Sequence, residues 1–451
     1  MKFKKIMALA MVLSCALQIN TYADGAPVIG EVIWQTKELV KISTEADLRD
    51  FAAKVNAGDD FSNKLVRLEN DIVLDGTTEW IPIGNAETTP FSGDFDGKHH
   101  TIKNLKQTSS DSLFYGLFGY VKDGTVENVK LSNVYLQASE LYNEKDPVFL
   151  GSVVSIAENS RLYYCNVLDG SIIATDAKLK YAAEYLGMAG GVVSYAYNSS
   201  VYYCSNGAAI TANGSAGGIS AIADGGDEGK SIYQCFNKGV IRGFYSGAVI
   251  SGICCRNNGS LSYCYNIGEV SSVGRFAAGI STENNGKGTI ADCIDLNEKN
   301  TSYTTNAGTI EKLYYTNQTD DYKVLSFPNS GKADIIRTDA GISDYELKKL
   351  LNKKRECYAL EVYGTRPVFY WEAQYNNGAW IRGDLTGEGE FTEKDITLML
   401  KNLTGAKTYY EQKAADYNAD GTADMKDVVE MMNCSRYYKI QGALITYDDG
   451  N

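Results

Sequence analysis

Two twelve-residue stretches near the C-terminus, Asp384 to Asp395 and Asp416 to Asp427, place oxygen-bearing residues at the spacing a hard divalent cation requires. The second reads D-Y-N-A-D-G-T-A-D-M-K-D. Asp416, Asn418 and Asp420 take positions 1, 3 and 5, Gly421 the sharp turn at 6, Asp424 position 9 and Asp427 position 12, while Thr422 offers its carbonyl at 7. Calcium takes about six to eight oxygens, and alternate side chains of such a loop wrap around it. The first stretch, D-L-T-G-E-G-E-F-T-E-K-D, keeps Asp384, Gly389 and Asp395, with Thr386 and Glu388 at positions 3 and 5 and the Glu390 carbonyl at 7. Two calcium ions are therefore the expected cofactors, the first site the weaker. A solvated acidic turn is the plain alternative for either stretch alone, and the duplication argues against it.

Each loop runs into a helix-period apolar stretch, Ile396, Met399, Leu400 and Leu403 after the first and Val428, Val429, Met431 and Met432 after the second. Neither loop is clearly preceded by a helix, unlike an ordinary EF-hand. The duplicated loop-then-helix pattern, with Asp at position 12, resembles the type I dockerin over about residues 380–445. The resemblance implies a non-catalytic plug, folded by two calcium ions, that inserts into a cohesin domain of a scaffoldin or cell-surface protein. Partner contacts in that family fall at loop positions 10 and 11. Here these are Glu393 and Lys394, then Met425 and Lys426, so the two loops share only the lysine.

Internal repetition governs residues 115–295. The blocks S-R-L-Y-Y-C-N, S-S-V-Y-Y-C-S, K-S-I-Y-Q-C-F, G-S-L-S-Y-C-Y and G-T-I-A-D-C-I set Cys165, Cys204, Cys235, Cys264 and Cys293 at intervals of 39, 31, 29 and 29. A second element, such as G-S-V-V-S at Gly151 or G-G-V-V-S at Gly190, precedes each block. Each repeat thus carries at least two short β-runs separated by Gly and Asn turns, and such units bury an apolar face only when stacked. The expected fold is mainly β: a β-solenoid, followed by a small α-helical, EF-hand-like C-terminal domain. The short units, with W-I-P-I-G at Trp80, P-F-S-G-D-F-D-G at Pro90 and H-T-I-K-N-L at His100, resemble the GLUG-motif repeats of secreted bacterial proteins over roughly residues 40–371. That resemblance implies a right-handed parallel β-helix and specifies fold far better than activity. Between about residues 296 and 340 the period fades.

The expected organisation is a signal peptide over 1–23, an N-terminal cap over 24–75, the solenoid over 76–371, a polar linker over 372–380 and the calcium module over 381–445. The signal reading rests on Lys2, Lys4 and Lys5 ahead of an apolar run from Ile6 to Leu17, with small residues before Asp24. The mature chain is then secreted, held at the cell surface through cohesin. No other apolar stretch is long enough to span a bilayer. Thr44 and Asp47 form a capping-box pattern ahead of the stripe Leu48, Phe51, Ala52 and Val55, which predicts a helix covering one solenoid end. A second helix around Tyr345 to Asn352 is expected to cover the other. A formal charge of −13 with no basic cluster argues against nucleic acid or an anionic membrane surface as partner.

The cysteines recur at one phase of the repeat, which favours an inward ladder of small apolar side chains over a disulfide framework. Catalytic residues are not identified. The two histidines, His99 and His100, are adjacent and sit inside a solenoid motif, which speaks against a Ser-His-Asp or Cys-His hydrolase. Asp94 and Asp96 would share one strand face as a carboxylate pair for glycoside hydrolysis, against which stands the turn chemistry of D-x-D-G. Tyr163-Tyr164, Tyr202-Tyr203, Tyr263 and Tyr265 would line an exposed aromatic strip able to stack on a polysaccharide, or simply fill a half-buried β surface. Three readings follow: a docked adhesion, glycan-contact or structural component of a cellulosome-type complex, which is preferred; a polysaccharide hydrolase or lyase with its site on the solenoid; or a free surface protein that uses calcium only for stability.

Overall fold

The computed structural model describes residues 37–108, 112–138, 147–175, 187–226, 231–274, 276–297, 300, 303–316, 323–326, 333–337, 344–351, 358–360, 367–369, 383, 385, 393–404, 412–417, 422–429 and 431. The signal peptide and the linker of the sequence reading lie outside these residues. One coil shows how the repeat folds. Val148–Gly151, Val154–Glu158, the pair Arg161–Tyr163 and Asn166–Val167, and Gly170–Ala174 lie on four successive faces. Each pairs in parallel with its equivalent in the next coil, Gly187–Gly190, Val193–Tyr197, Ser200–Tyr202, Ser205–Asn206 and Ala209–Ala212. The faces grow into parallel sheets of 19, 6, 6 and 8 strands among the described residues. The molecule is mainly β and solenoid-like, as the repeats require.

Strand alternation sorts the long sheet into rows. Its central row is Val66, Phe95, Val126, Leu162, Val201, Ile232, Leu261, Ile290 and Ile310, each in register with the next and none exposed. The row is continuous because no single coil has enough apolar surface to close over its own interior. A backbone corner then turns each coil. Asn128, Tyr164, Tyr203, Gln234, Tyr263 and Asp292 occupy it with φ between 45° and 58°, the left-handed region that side chains seldom adopt. Cys165, Cys204, Cys235, Cys264 and Cys293 come immediately after the corner, point inward, and are fully buried free thiols. Glycine is required at another corner: a Cβ on Gly190 would lie 1.8 Å from the Val193 carbonyl oxygen.

Buried amides reinforce the stack. Asn206 Nδ2 donates to Asn237 Oδ1 at 2.9 Å, Asn237 to Asn266 at 2.8 Å, and Asn266 to Asp295 at 3.0 Å. Asn257, Asn284 and Asn306 form a second such series at 2.8 and 2.7 Å. Within the two series Asn237, Asn266 and Asn284 each donate to the next coil and accept from the one before, as buried polar groups require, whereas Asn306 Nδ2 ends the second series without a partner among the described residues.

The long sheet begins with Glu38–Ile42 paired in register to Lys64–Leu68. Between them runs helix α1 (Glu45–Asn56), opened by the Thr44–Asp47 capping box and burying Leu48, Phe51, Ala52 and Val55 as the sequence pattern anticipates. Phe51 meets Phe61, Phe91 and Phe95 at centroid distances of 5.0, 5.6 and 6.1 Å, closing the interior at this end. Helix α2 (Asp344–Leu351) forms close to its expected position in sequence but does not cover the opposite end. Leu347 and Leu351 instead bury against Tyr163, Tyr202, Tyr203, Phe236, Tyr265 and Ile294 on the flank of the stack, because that outer surface is apolar and otherwise uncovered. Tyr358–Leu360 and Pro367–Phe369 follow as a two-stranded antiparallel pair. Among the described residues no helix is long and apolar enough to cross a membrane.

Candidate cation site and its surroundings

In the C-terminal region helix α3 (Glu393–Leu403) follows the first acidic loop, α4 (Gln412–Ala415) leads into the second, and residues 425–429 are helical after it. Their apolar residues form one core in matched pairs. Leu385 with Tyr417, Ile396 with Val428, and Met399 with Met431 are each 32 residues apart, and all six are buried. The position-12 residues keep the same spacing, and Asp395 and Asp427 are both wholly buried. The Leu385 N–H donates to Asp395 Oδ1 at 2.9 Å and the Asp424 N–H to Asp427 Oδ2 at 2.8 Å. Asp424 caps its helix by accepting from the Lys426 N–H at 2.7 Å. Gly383, at φ 96°, ties the halves together by donating to the Ala414 carbonyl at 2.7 Å.

Asp384, Thr386, Glu388, Glu390, Asn418, Asp420 and the side chain of Glu393 lie outside the described residues. Of the remaining expected ligands, Asp416 is half-buried, Asp424 is half-buried and Thr422 is exposed. Lys394, Met425 and Lys426, the expected partner contacts, are exposed, Met425 by 54%. Among the described residues no group of three or more His, Cys, Asp or Glu side chains gathers at metal-holding distance. The position-12 carboxylates nevertheless suit a hard cation. Each is a buried carboxylate held by a backbone N–H, and carboxylate oxygen is a donor that suits calcium rather than a softer ion.

The tyrosines do form a ladder on the outer face. Tyr163, Tyr202, Tyr233 and Tyr263 follow one another at centroid spacings of 5.4, 5.6 and 5.6 Å, and Tyr164 stacks on Tyr203 at 5.0 Å. The expectation of an exposed strip is corrected: Tyr163, Tyr202, Tyr203, Tyr263 and Tyr265 are all buried. Helix α2 lies over the ladder, and Gln234 Nε2 donates to the Leu351 carbonyl at 2.9 Å to hold its last turn.

The Asp94–Asp96 pair lies on the same sheet, nearer α1. Asp96 Oδ1 accepts from the Lys98 N–H at 2.9 Å and from Asn128 at 3.0 Å, Arg67 Nε approaches Oδ2 at 3.3 Å, and Asp94 pairs with Lys37. These bonds fit the turn reading of D-x-D-G. Glu127, which belongs to no motif of the sequence, stands beside Asp96 in register. Burial first, and then the Asp96 and Asp94 charges, push its carboxyl up to about 8. The signal for it was T-V-E at the same coil phase as D-F-D. His99 is held down at about 4 by burial first and then by the Lys130 charge, and His100 Nδ1 lies 3.2 Å from Asp71.

The fold belongs to the class of parallel β-solenoids. No family model matches the chain, and no curated protein does. Among solved structures it is similar to a candidate immunoglobulin A1 protease from Bacteroides ovatus, with TM-score 0.51 and 17% identity over 73% of this chain and 92% of that one. It also overlaps a structure named IgA1 Protease, at TM-score 0.42 and 18% identity, over 66% of this chain and 22% of that one.

Proposed function

We propose that the chain is an exported docking protein: a C-terminal dockerin-type module, folded by two calcium ions, seats in a cohesin of a scaffoldin or cell-surface protein, and the solenoid serves adhesion, glycan contact or architecture in polysaccharide degradation. The observation that carries this reading is the paired burial of Asp395 and Asp427 around one core whose apolar residues repeat at the same spacing. Asp384, Thr386, Glu388, Glu390 and Asp395 would hold one ion, and Asp416, Asn418, Asp420, Thr422, Asp424 and Asp427 the other. When bound, calcium supplies the positive charge that lets those oxygens converge. Glu393, Lys394, Met425 and Lys426 would meet the cohesin.

The test is capture on a cohesin array by the full chain, in calcium and in EGTA, beside calorimetric titration of calcium. Calcium-dependent capture supports the reading. Calcium uptake with no cohesin captured would leave the ions as stabilisers alone.

A second reading, polysaccharide hydrolysis or lysis on the solenoid, is favoured by Glu127, whose carboxyl is pushed up to about 8 by burial and by the neighbouring Asp96 and Asp94 charges. Adjacent strands stand about 4.8 Å apart, close to the roughly 5 Å separation of retaining glycosidase carboxyls. Release of reducing ends or unsaturated products from a polysaccharide panel, lost in Glu127→Gln, would establish it.

A further inference from the structure

Lys37 and Asp94 are 57 residues apart in sequence, and the stacking of the first coils brings them together. Glu38–Ile42 pairs with Lys64–Leu68, and that strand with Asp94–Asp96, so Lys37 reaches from just ahead of the first strand across the second to the third. Its Nζ is in direct ion-pair contact with the Asp94 carboxylate, and among the described residues neither group has another partner. Asp96, on the same strand face, is instead fixed by the Lys98 N–H, Asn128 and Arg67. Asp94 is buried beside the equally buried Leu65. An ion pair withdrawn from water loses the hydration that favours it over the neutral acid and amine, the forms that can condense. Glu127 lies on the next strand, diagonal to Asp94 through Thr125 and on the same face.

We infer that Lys37 Nζ and the Asp94 carboxyl condense to an intramolecular amide, with Glu127 as the proton carrier. Nζ loses two protons and bonds to Asp94 Cγ, one Cγ–O bond breaks, and that oxygen leaves with the two protons as water; nothing is oxidised or reduced. Glu127 gives a proton to the departing oxygen and takes one from the amine. Burial first, and then the Asp96 and Asp94 charges, raise the Glu127 carboxyl towards neutral pH, where a carrier works best. The bond would fasten the terminal strand of the stack to the third, so that it cannot peel from the sheet edge. It owes nothing to the acidic loops of the C-terminal module.

Intact mass spectrometry of the denatured full chain tests this, with tryptic digestion of the same sample. The chain is expected to be lighter by one water and to yield a branched peptide joining Lys37 to Asp94. Lys37→Arg keeps the charge and the ion pair but should keep the full mass. Glu127→Gln, with circular dichroism to confirm its fold, should slow bond formation about a hundredfold or more. A folded chain of full mass would overturn the bond, as would the same loss of water in Lys37→Arg, which would place the loss elsewhere. Bond formation in Glu127→Gln at the unsubstituted rate would overturn the role of Glu127.

Discussion

In the solenoid a repeated residue touches its own copy, whereas in the C-terminal module it faces its copy across a small core. Asn206, Asn237 and Asn266 satisfy one another coil by coil, and the same register continues through Val201, Ile232 and Leu261. Asp395 and Asp427 occupy equivalent places in two half-modules, and like charges of this kind gain nothing from each other. Repetition of neutral, self-complementary groups therefore builds a body that needs no ligand. On the proposed reading, repetition of carboxylates builds a module that takes up a cation in order to fold.

Chelation should separate the two regions most sharply. With each loop at roughly a hundredfold excess of calcium over its dissociation constant, two ions stabilise the module by about 5 kcal/mol. EGTA is expected to abolish a low-temperature calorimetric transition assigned to residues 381–445 and leave the body's transition in place; a single transition shifted as a whole would break the contrast. Phe95→Ala reverses the test. Removing a fully buried ring that packs with Phe51 and Phe118 should cost the body about 3–5 kcal/mol by denaturant unfolding, with calcium titration of the module unaltered.

Asn237→Ala sharpens the claim about self-complementary ladders. It strands the Asn206 donor and the Asn266 acceptor in the interior, for a loss of about 1–3 kcal/mol. Asn213→Ala, at a site outside both amide series, should cost less, and equal losses would mean that the ladder adds nothing special.

The coil phase was legible because Y-x-C fixes which side chain turns inward: tyrosine at or beside the left-handed corner, cysteine directly after it. The capping box at Thr44 was legible for a similar reason, as both of its bonds join residues three apart. What escaped were contacts between residues distant in sequence that share no repeat. Leu351 has no periodic counterpart that would announce its place beside Gln234, so α2 was expected at an end and the tyrosine strip was expected open. Glu127 escaped because Asp96 is 31 residues away, and only the register of the fold makes them neighbours. The cation loops are the reverse case. Their spacing states a chemistry plainly, while Asp384, Asn418 and Asp420 lie outside the described residues.

That Glu127–Asp96 juxtaposition gives the body a pH dependence of its own. In the folded chain Glu127 keeps its proton up to about 8, whereas unfolded it would ionise near its ordinary 4.5. Between those values the folded state binds more protons, so stability falls as pH rises through the window. The effect should be about 1–2 kcal/mol for a half-buried carboxyl with solvent screening allowed for. His99 works in the opposite sense. Held near 4 rather than 6.5, it stays neutral when folded, and stability falls as pH drops from 6.5 towards 4. Urea midpoints of the body should therefore peak near pH 6, and Glu127→Gln should flatten only the alkaline side. If Glu127→Gln leaves that side unchanged, Glu127 is ionised beside Asp96 in the folded chain, and the paired-carboxyl reading of the solenoid loses its acid.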